Sequence, residues 1–488
     1  MSRLTRLSAD ATDALRHAGA YASDMVQPKV RLGVTGLARA GKTIFITAFV
    51  QNLIAGGRLP FFGPQGEGRL RRAWLEPQPD DDVPRFQIEE HLGALMADPP
   101  RWPASTRRIS QLRLTLEYAP ASLWRHVTGS RRLAVDIVDY PGEWLLDLPL
   151  LMQAFETWSA ASLAAIAKPE RATAAGPFLA FLAGLDPTTM PAEQAAMSGA
   201  ILYRDYLRAC RQHDHIYTGL TPGRFLMPGD LEGSPALTFF PLPPERMAAD
   251  KAGLPTLLAR RFEAYKTHVV KPFFRNHFSR LDRQIVLVDA LGALDAGTSA
   301  VADLGSSLEA VLGCFRPGAN TWLSSVLSRR IDRILFAASK ADHLHSNSHD
   351  RLEAILGRMV ARAVTRAQFA GAHVRVLAMA GIRATREAEL AEGTGGTPLP
   401  CIIGTPLAGE TFGQQTFDGR REVAIFPGDL PANPDDALAE SRGGLAGTLR
   451  FPRLRPPLSV PTATQPSPPF PHIRLDRAID FLIGDRLL

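Results

Sequence analysis

The stretch Gly36-Leu37-Ala38-Arg39-Ala40-Gly41-Lys42-Thr43 places two glycines, a lysine and a hydroxyl at the spacing GxxxxGK[ST]. Each residue type has a task in that order. Small residues let backbone N–H groups turn inward around phosphate oxygens, and a helix starting there adds positive potential. Lys42 is placed to reach the β- and γ-phosphates, and Thr43 to offer a hydroxyl to Mg²⁺. The expected cradle is Gly36, Ala38, Arg39, Ala40, Gly41, Lys42, Thr43 and Ile44. The lysine is informative because the chain has only 7 lysines among its 55 basic residues.

Three further stretches belong to the same chemistry. Asp139-Tyr140-Pro141-Gly142 fits DxxG, as do 230–233 and 289–292. Position favours the first, where Asp139 would hold the Mg²⁺ shell through water and the Gly142 N–H would sense a γ-phosphate. Asp289 reads as structural. Ser339-Lys340-Ala341-Asp342 is similar to the [NT]KxD base-reading motif. Asp342 would accept hydrogen bonds from guanine N1–H and its 2-amino group, and the Lys340 stem would stack on the base. Ser339 keeps the hydroxyl of threonine and lacks its methyl, so an ordinary turn is the alternative. Ala380, Gly381 and Ile382 follow the last strand, where a backbone N–H would meet a base carbonyl. Thr106, in the loop before the second strand, is the candidate to close over Mg²⁺ and the γ-phosphate.

The elements that must position these groups are legible in outline. Val30–Thr35 is a short apolar run ending at glycine, a buried strand, and Thr43–Leu53 has helical apolar spacing. Residues 56–104 read as long loops rich in Gly, Pro and Asp. Leu112, Leu114, Leu116 and Tyr118 alternate with polar residues as a half-buried strand, and Leu133, Val135 and Ile137 form the next. Their short connection predicts antiparallel pairing. Residues 145–280 read as a mainly helical insertion. Strands at 285–289, 334–338 and 374–379 alternate with helices at 300–313, 320–331 and 350–368, the pattern of a parallel sheet. The tail has short β segments at 401–404 and 422–426, a hairpin signal at Asp418-Gly419, a proline-rich stretch over 452–471 and a helix over 473–483. The reading is an α/β P-loop fold divided as 1–29 (amphipathic helix, with Leu4, Leu7, Ala11 and Leu15 on one stripe), 30–144, 145–280, 281–386 and 387–488.

Composition excludes several classes. At 45% hydrophobic and 21% charged the chain is globular. Its 3 cysteines, Cys210, Cys314 and Cys401, form no CxxC pair. No apolar run reaches the ~18 residues of a membrane span. The net charge of +6 is spread out rather than clustered, so nucleic acid is not expected as a partner. The cluster of His343, His345 and His349 reads as a solvated loop and helix start. The cytoplasm is the expected compartment, with peripheral membrane contact as a second reading.

The P-loop, Trp102-Pro103…Thr106…Ile109-Ser110, the run DYPGEWLLDLPLL from Asp139, VDAL from Val288, SKADH from Ser339 and the C-terminal helix together resemble the YcjX family, bacterial stress-associated P-loop proteins. The resemblance spans nearly the whole chain. It implies a Ras-like G domain with a mostly parallel sheet, a large helical insertion and a small C-terminal β-containing segment, and a link to an inner-membrane partner. Glu143 then stands where Ras-like enzymes place a water-orienting glutamine; a first-turn helix residue is the alternative. Arg39 resembles the P-loop arginine of guanylate-binding proteins and atlastins, which acts in cis once a homodimer closes the site; a solvent-facing side chain is the alternative. The leading expectation is a Mg²⁺-dependent GTPase with slow turnover, binding GTP and GDP as a conformational switch. The alternatives are an ATPase and a nucleotide-stabilised scaffold without catalysis.

Overall fold

The computed structural model describes residues 28–36, 39–104, 108–121, 130–186, 190–212, 220–249, 253–313, 331–390, 398–412, 415–439, 449, 451–459 and 467–488. The amphipathic stretch before residue 28, Ala38, Thr106, and nearly all of the helix expected at 320–331 lie outside them.

Among the described residues the strands β1 (Lys29–Gly36), β2 (Leu70–Glu76), β3 (Ser110–Tyr118), β4 (Arg131–Asp139), β5 (Arg283–Val288), β6 (Arg333–Ala338) and β7 (His373–Ala378) form one sheet in the order β2-β3-β4-β1-β5-β6-β7. From β4 to β7 all neighbours are parallel, while β2–β3 and β3–β4 are antiparallel. The expected α/β sheet is therefore the one found, with the short 118–131 connection pairing β3 and β4 as antiparallel neighbours.

Besides a single helical turn over Gly63–Gly66, two elements were not legible. The stretch read as long loops contains β2 and the helix α2 (Ile88–Leu95), after α1 (Lys42–Ile54). β2 is an edge strand with several exposed side chains, so it lacks a strong apolar signal. The two turns of α2 give little room for a helical period to declare itself. β3 also departs from the half-buried reading. Its alternation is real, but Gln111 and Thr115 on the polar face are 0% exposed. That face is covered by a polar layer, in which the Arg113 guanidinium grips the buried Asp136 of β4 at 2.6 and 2.9 Å.

The layers follow from apolar periodicity. Val30, Leu32 and Val34 of β1 pack with Phe45 and Phe49 of α1 and with Leu475, Ile479 and Leu482 of the C-terminal helix on one face. Val286, Val288, Ile334 and Phe336 pack on the other against helices that follow β5 and β6. The C-terminal helix thus docks on the sheet. Between β4 and β5 the chain is helical: a 3₁₀ segment Gly142–Met152, then α3 (Phe155–Ile166), α4 (Ala172–Gly184), α5 (Ala192–Gln212), α6 (Leu254–Tyr265) and, after a π turn, α7 (Lys271–Asn276). These helices share an aromatic core including Trp158, Tyr203, Phe239, Phe262 and Tyr265.

In the tail β8 (Arg386–Leu390), β9 (Leu399–Gly404) and β12 (Val423–Ile425) form a small antiparallel sheet, and β10 (Thr411–Phe412) with β11 (Gln415–Thr416) a minimal hairpin. Asp418-Gly419 is not a hairpin turn. Its neighbour β12 pairs with β9, and the Asp418 carboxylate instead accepts from the N–H groups of Arg420 and Arg421.

Candidate functional site

The parallel strands all end at one edge of the sheet, and the candidate residues follow those ends directly. Helix α1 after β1 packs on one face and the helix after β5 on the other, so a crevice opens where the chain reverses side. It is a cleft of about 820 Å³.

At one end lies the glycine loop. A Cβ on Gly36 would stand 2.6 Å from the Leu287 carbonyl oxygen, so this strand end admits only glycine. Gly41 has φ 85°, a left-handed conformation that favours glycine, and it starts α1 by accepting the Phe45 N–H at 2.9 Å. The first turn of α1 contains no acidic residue, which leaves the positive helix terminus for an anion. Lys42 Nζ donates to the Gly36 carbonyl at 2.9 Å and is thereby held over the loop. Arg39, Ala40, Gly41, Lys42, Thr43 and Ile44 all line the cleft. Thr43 is 7% exposed and Asp139 1% exposed, the latter paired in register with Val34 next to the loop.

Oxygen donors from Thr43 and Asp139 suit Mg²⁺, which takes one or two protein ligands and the rest from phosphates and water. Among the described residues no cluster of three His, Cys, Asp or Glu could hold an ion without such help. His349 is buried rather than solvated, its Nε2–H donating to the Ala341 carbonyl at 2.9 Å, and His345 faces Glu387.

At the other end Ser339 is tied to β5, its N–H and hydroxyl both donating to the Val288 carbonyl at 2.9 and 3.2 Å. Lys340 is left-handed (φ 61°) and its ammonium is paired with Asp289. Asp289 also accepts the Gly292 N–H at 3.1 Å, capping the helix after β5, which fits its structural reading. Asp342 is 5% exposed, and its Oδ2 accepts the Ala384 N–H at 2.9 Å. That bond fixes the carboxylate on the cleft wall and leaves further acceptor capacity.

Ala380, Gly381 and Ile382 line the cleft too. The Ala380 N–H does not face the cleft as a donor; it donates to the Ile473 carbonyl at 3.0 Å in a two-way bridge. The C-terminal segment takes the group the motif would have offered. Gly381 lies against α1, where an added Cβ would be 3.3 Å from Phe45 Cα.

Several further wall residues had no site role in the sequence reading. Trp102 and Pro103 come from the loop before β3, and Leu407, Arg453 and Leu454 from the tail. The Trp102 Nε1–H donates to the Leu454 carbonyl at 2.6 Å, clasping the two together. Arg208 and Arg211 of α5 reach the same cleft. Glu143 is buried in the first turn of the 3₁₀ segment, and Arg211 Nη2 donates to its Oε1 at 2.8 Å. The one available signal is spacing, since Arg204, Arg208 and Arg211 fall on a stripe beside the buried Tyr203, Leu207 and Cys210.

The segment after Gly142 is anchored to the helical region. Asp147 accepts the Gly223 N–H at 2.7 Å, the Arg224 N–H at 3.2 Å and the Tyr265 hydroxyl at 2.6 Å. Burial lifts its carboxyl to about 6 against these hydrogen bonds. Gly223 packs so closely on Glu143 that a Cβ would meet its carbonyl at 2.0 Å.

Sheet order, glycine loop and strand-end carboxylates define a Ras-like P-loop α/β fold. The chain belongs to the YcjX-like family, DUF463, whose model matches residues 30–487. It is similar to the Ras-like GTPase YcjX of Escherichia coli (strain K12), 37% identical over 474 residues, 95% of this chain and 97% of that protein. It is also similar to the Ras-like GTPase YcjX of Shewanella oneidensis, 35% identical over 479 residues, 94% of each chain. No described helix is long and apolar enough to cross a membrane.

Proposed function

We propose that this chain binds guanine nucleotide with Mg²⁺, hydrolyses GTP slowly, and passes the state of the nucleotide to its helical region as a switch in a bacterial stress response. The observation that carries this is a single cleft with a glycine-lysine loop at one end and the oriented Asp342 carboxylate at the other. The names of the relatives support the same reading.

In this mechanism the backbone of 36–44 and Lys42 grip the phosphates. Thr43 and Asp139, with Thr106, would hold Mg²⁺, which supplies positive charge to the phosphate oxygens. Asp342 distinguishes guanine from adenine by accepting from N1–H and the 2-amino group, while Asp289 keeps Lys340 at the base. A γ-phosphate contact at Gly142 would move the 3₁₀ segment 142–152. Because Asp147 ties that segment to Gly223 and Tyr265, the helices would follow as a body.

The test is affinity for GDP and ADP, measured on nucleotide-stripped protein with Mg²⁺. We expect at least ~100-fold preference for GDP, falling below about fivefold in Asp342→Asn, from the loss of two hydrogen bonds to a charged acceptor. Equal affinity for the two nucleotides in the unmodified protein would discard the guanine reading.

A further inference from the structure

We propose that Arg211, carried into the phosphate end of the cleft by the helical region, supplies the positive charge that stabilises the terminal phosphate during hydrolysis, and that Glu143 holds it in reserve. This rests on the GTPase reading above and names a further residue for that reaction.

Three observations converge on Arg211. It lines the same cleft as Lys42 and Thr43, although it lies in α5, far from the P-loop in sequence. Its partner there is Glu143, directly after Gly142, the residue placed to sense a γ-phosphate. The pair is asymmetric: the Glu143 side chain is 7% exposed and that of Arg211 30% exposed, so the carboxylate is fixed and the guanidinium has room to move.

The chemistry of exchange is direct. A guanidinium presents paired N–H donors that suit a carboxylate and a phosphate alike. A triphosphate brings more negative charge to that place than one carboxylate does, so Arg211 transfers to it. During hydrolysis the oxygen of water bonds to the γ-phosphorus and the bond to the β–γ bridging oxygen breaks. That oxygen stays on GDP with the electron pair, and the proton of water leaves with inorganic phosphate or to solvent. A cation at the γ-phosphate offsets the charge that accumulates there, and such an arginine is worth about 10³–10⁵ in rate in related chemistry.

The mount is suited to the task. Tyr203, Leu207 and Cys210, beside the arginine stripe, are buried in the aromatic core. The N–H groups of Gly223 and Arg224 and the Tyr265 hydroxyl bind Asp147, four residues after Glu143. Movement of 142–152 on binding GTP therefore carries Glu143 and α5 together toward the phosphates, where the γ-phosphate competes with Glu143 for the guanidinium. Arg39 is the rival source of charge. It sits on the loop in a left-handed conformation and is exposed.

The experiment is single-turnover GTP hydrolysis by the full chain, comparing the unmodified protein with Arg211→Ala, Arg211→Lys and Arg39→Ala. Formation of the GDP–aluminium fluoride complex and affinity for a fluorescent GDP are measured alongside. We expect Arg211→Ala to slow hydrolysis at least ~100-fold and to lose the aluminium fluoride complex, with GDP affinity changed less than about threefold. Arg211→Lys keeps the charge without the paired donors, and we expect it to be at least ~10-fold slow; it carries the test if the alanine variant does not fold. Hydrolysis within twofold of the unmodified rate in folded Arg211→Ala or Arg211→Lys overturns the proposal. So does loss of the aluminium fluoride complex in Arg39→Ala while Arg211→Ala retains it. If the unmodified chain binds GTP but turns it over no faster than Lys42→Ala, the GTPase reading fails and this inference with it.

Discussion

The two ends of the cleft are built in different ways. The end proposed for the phosphates is centred on one short stretch between β1 and α1, where Gly36, Gly41 and the start of α1 set the described backbone, with Glu143 and Arg211 beside it. The base end is assembled from Asp289, Lys340, Asp342, Ala384, Trp102 and Leu454, brought together across the chain. One end is a local backbone shape with a charge added. The other is a set of side chains each fixed by a distant partner. Damage to the first should abolish function without unfolding, and damage to the second should be graded.

The largest effect is expected at Lys42. Among the described residues its ammonium hydrogen-bonds to the Gly36 carbonyl alone, so Lys42→Ala should leave the melting temperature nearly unchanged. Loss of a charged hydrogen bond to phosphate, ~2–3 kcal/mol, should weaken GTP binding about 30- to 100-fold by calorimetry. A large fall in melting temperature would show that the phosphate end depends on this side chain for its shape.

Asp289→Asn sharpens the contrast. Asparagine still caps the helix after β5, but Lys340 loses its carboxylate. GDP affinity should drop by about tenfold, ~1.4 kcal/mol, with the hydrolysis rate at saturating GTP within twofold. A fall in that rate would mean the two ends are not separable.

The joint behind the phosphate end should reveal itself by pH. Burial raises Asp147 to about 6, and it lowers His277, the residue that follows α7, to about 4, helped by the charge of Arg31 on β1. Asp147 therefore contributes stability that is full below its unfolded value near 3.8 and is lost as pH rises through about 6. His277 contributes stability that is full above about 6.5 and is lost as pH falls through about 4. The two oppose each other between pH 4 and 6. Denaturant unfolding at pH 7 and pH 5 should show Asp147→Asn losing more on acidification than the unmodified chain, by about 1 kcal/mol, and His277→Gln losing less by about as much. Identical slopes in all three would remove this account of the joint.

The smallest effect is expected at Trp102. Phenylalanine keeps the ring and removes the donor to Leu454, which should cost ~0.5–1 kcal/mol, about two- to fivefold in GDP affinity. No change would detach the C-terminal segment from the base end.

The sheet was legible because its strands are short apolar runs ending at chemically marked residues, as at Gly36, Asp139 and Ser339. β2 and α2 were not, since an edge strand and a two-turn helix bury too little to impose a period. The pairing of the Ala380 N–H was not legible, because its acceptor, Ile473, belongs to a segment 93 residues away. Arg211 was overlooked for the same reason: arginines are so frequent here that one of them, 68 residues from Glu143, carries no local mark.

By itself the sequence determined the place of the glycine-lysine loop after a buried strand, the α/β alternation, the helical character of much of 145–280 and the family. Those depend on residue type at fixed short spacing: glycine for a positive φ, lysine for charge, apolar periods for strand and helix. Only the tertiary structure decided which arginine meets Glu143, which backbone donor the tail occupies and which carbonyl Trp102 clasps. Those contacts arise when buried apolar faces pack, and many apolar sequences would pack the faces equally well while bringing different polar groups together.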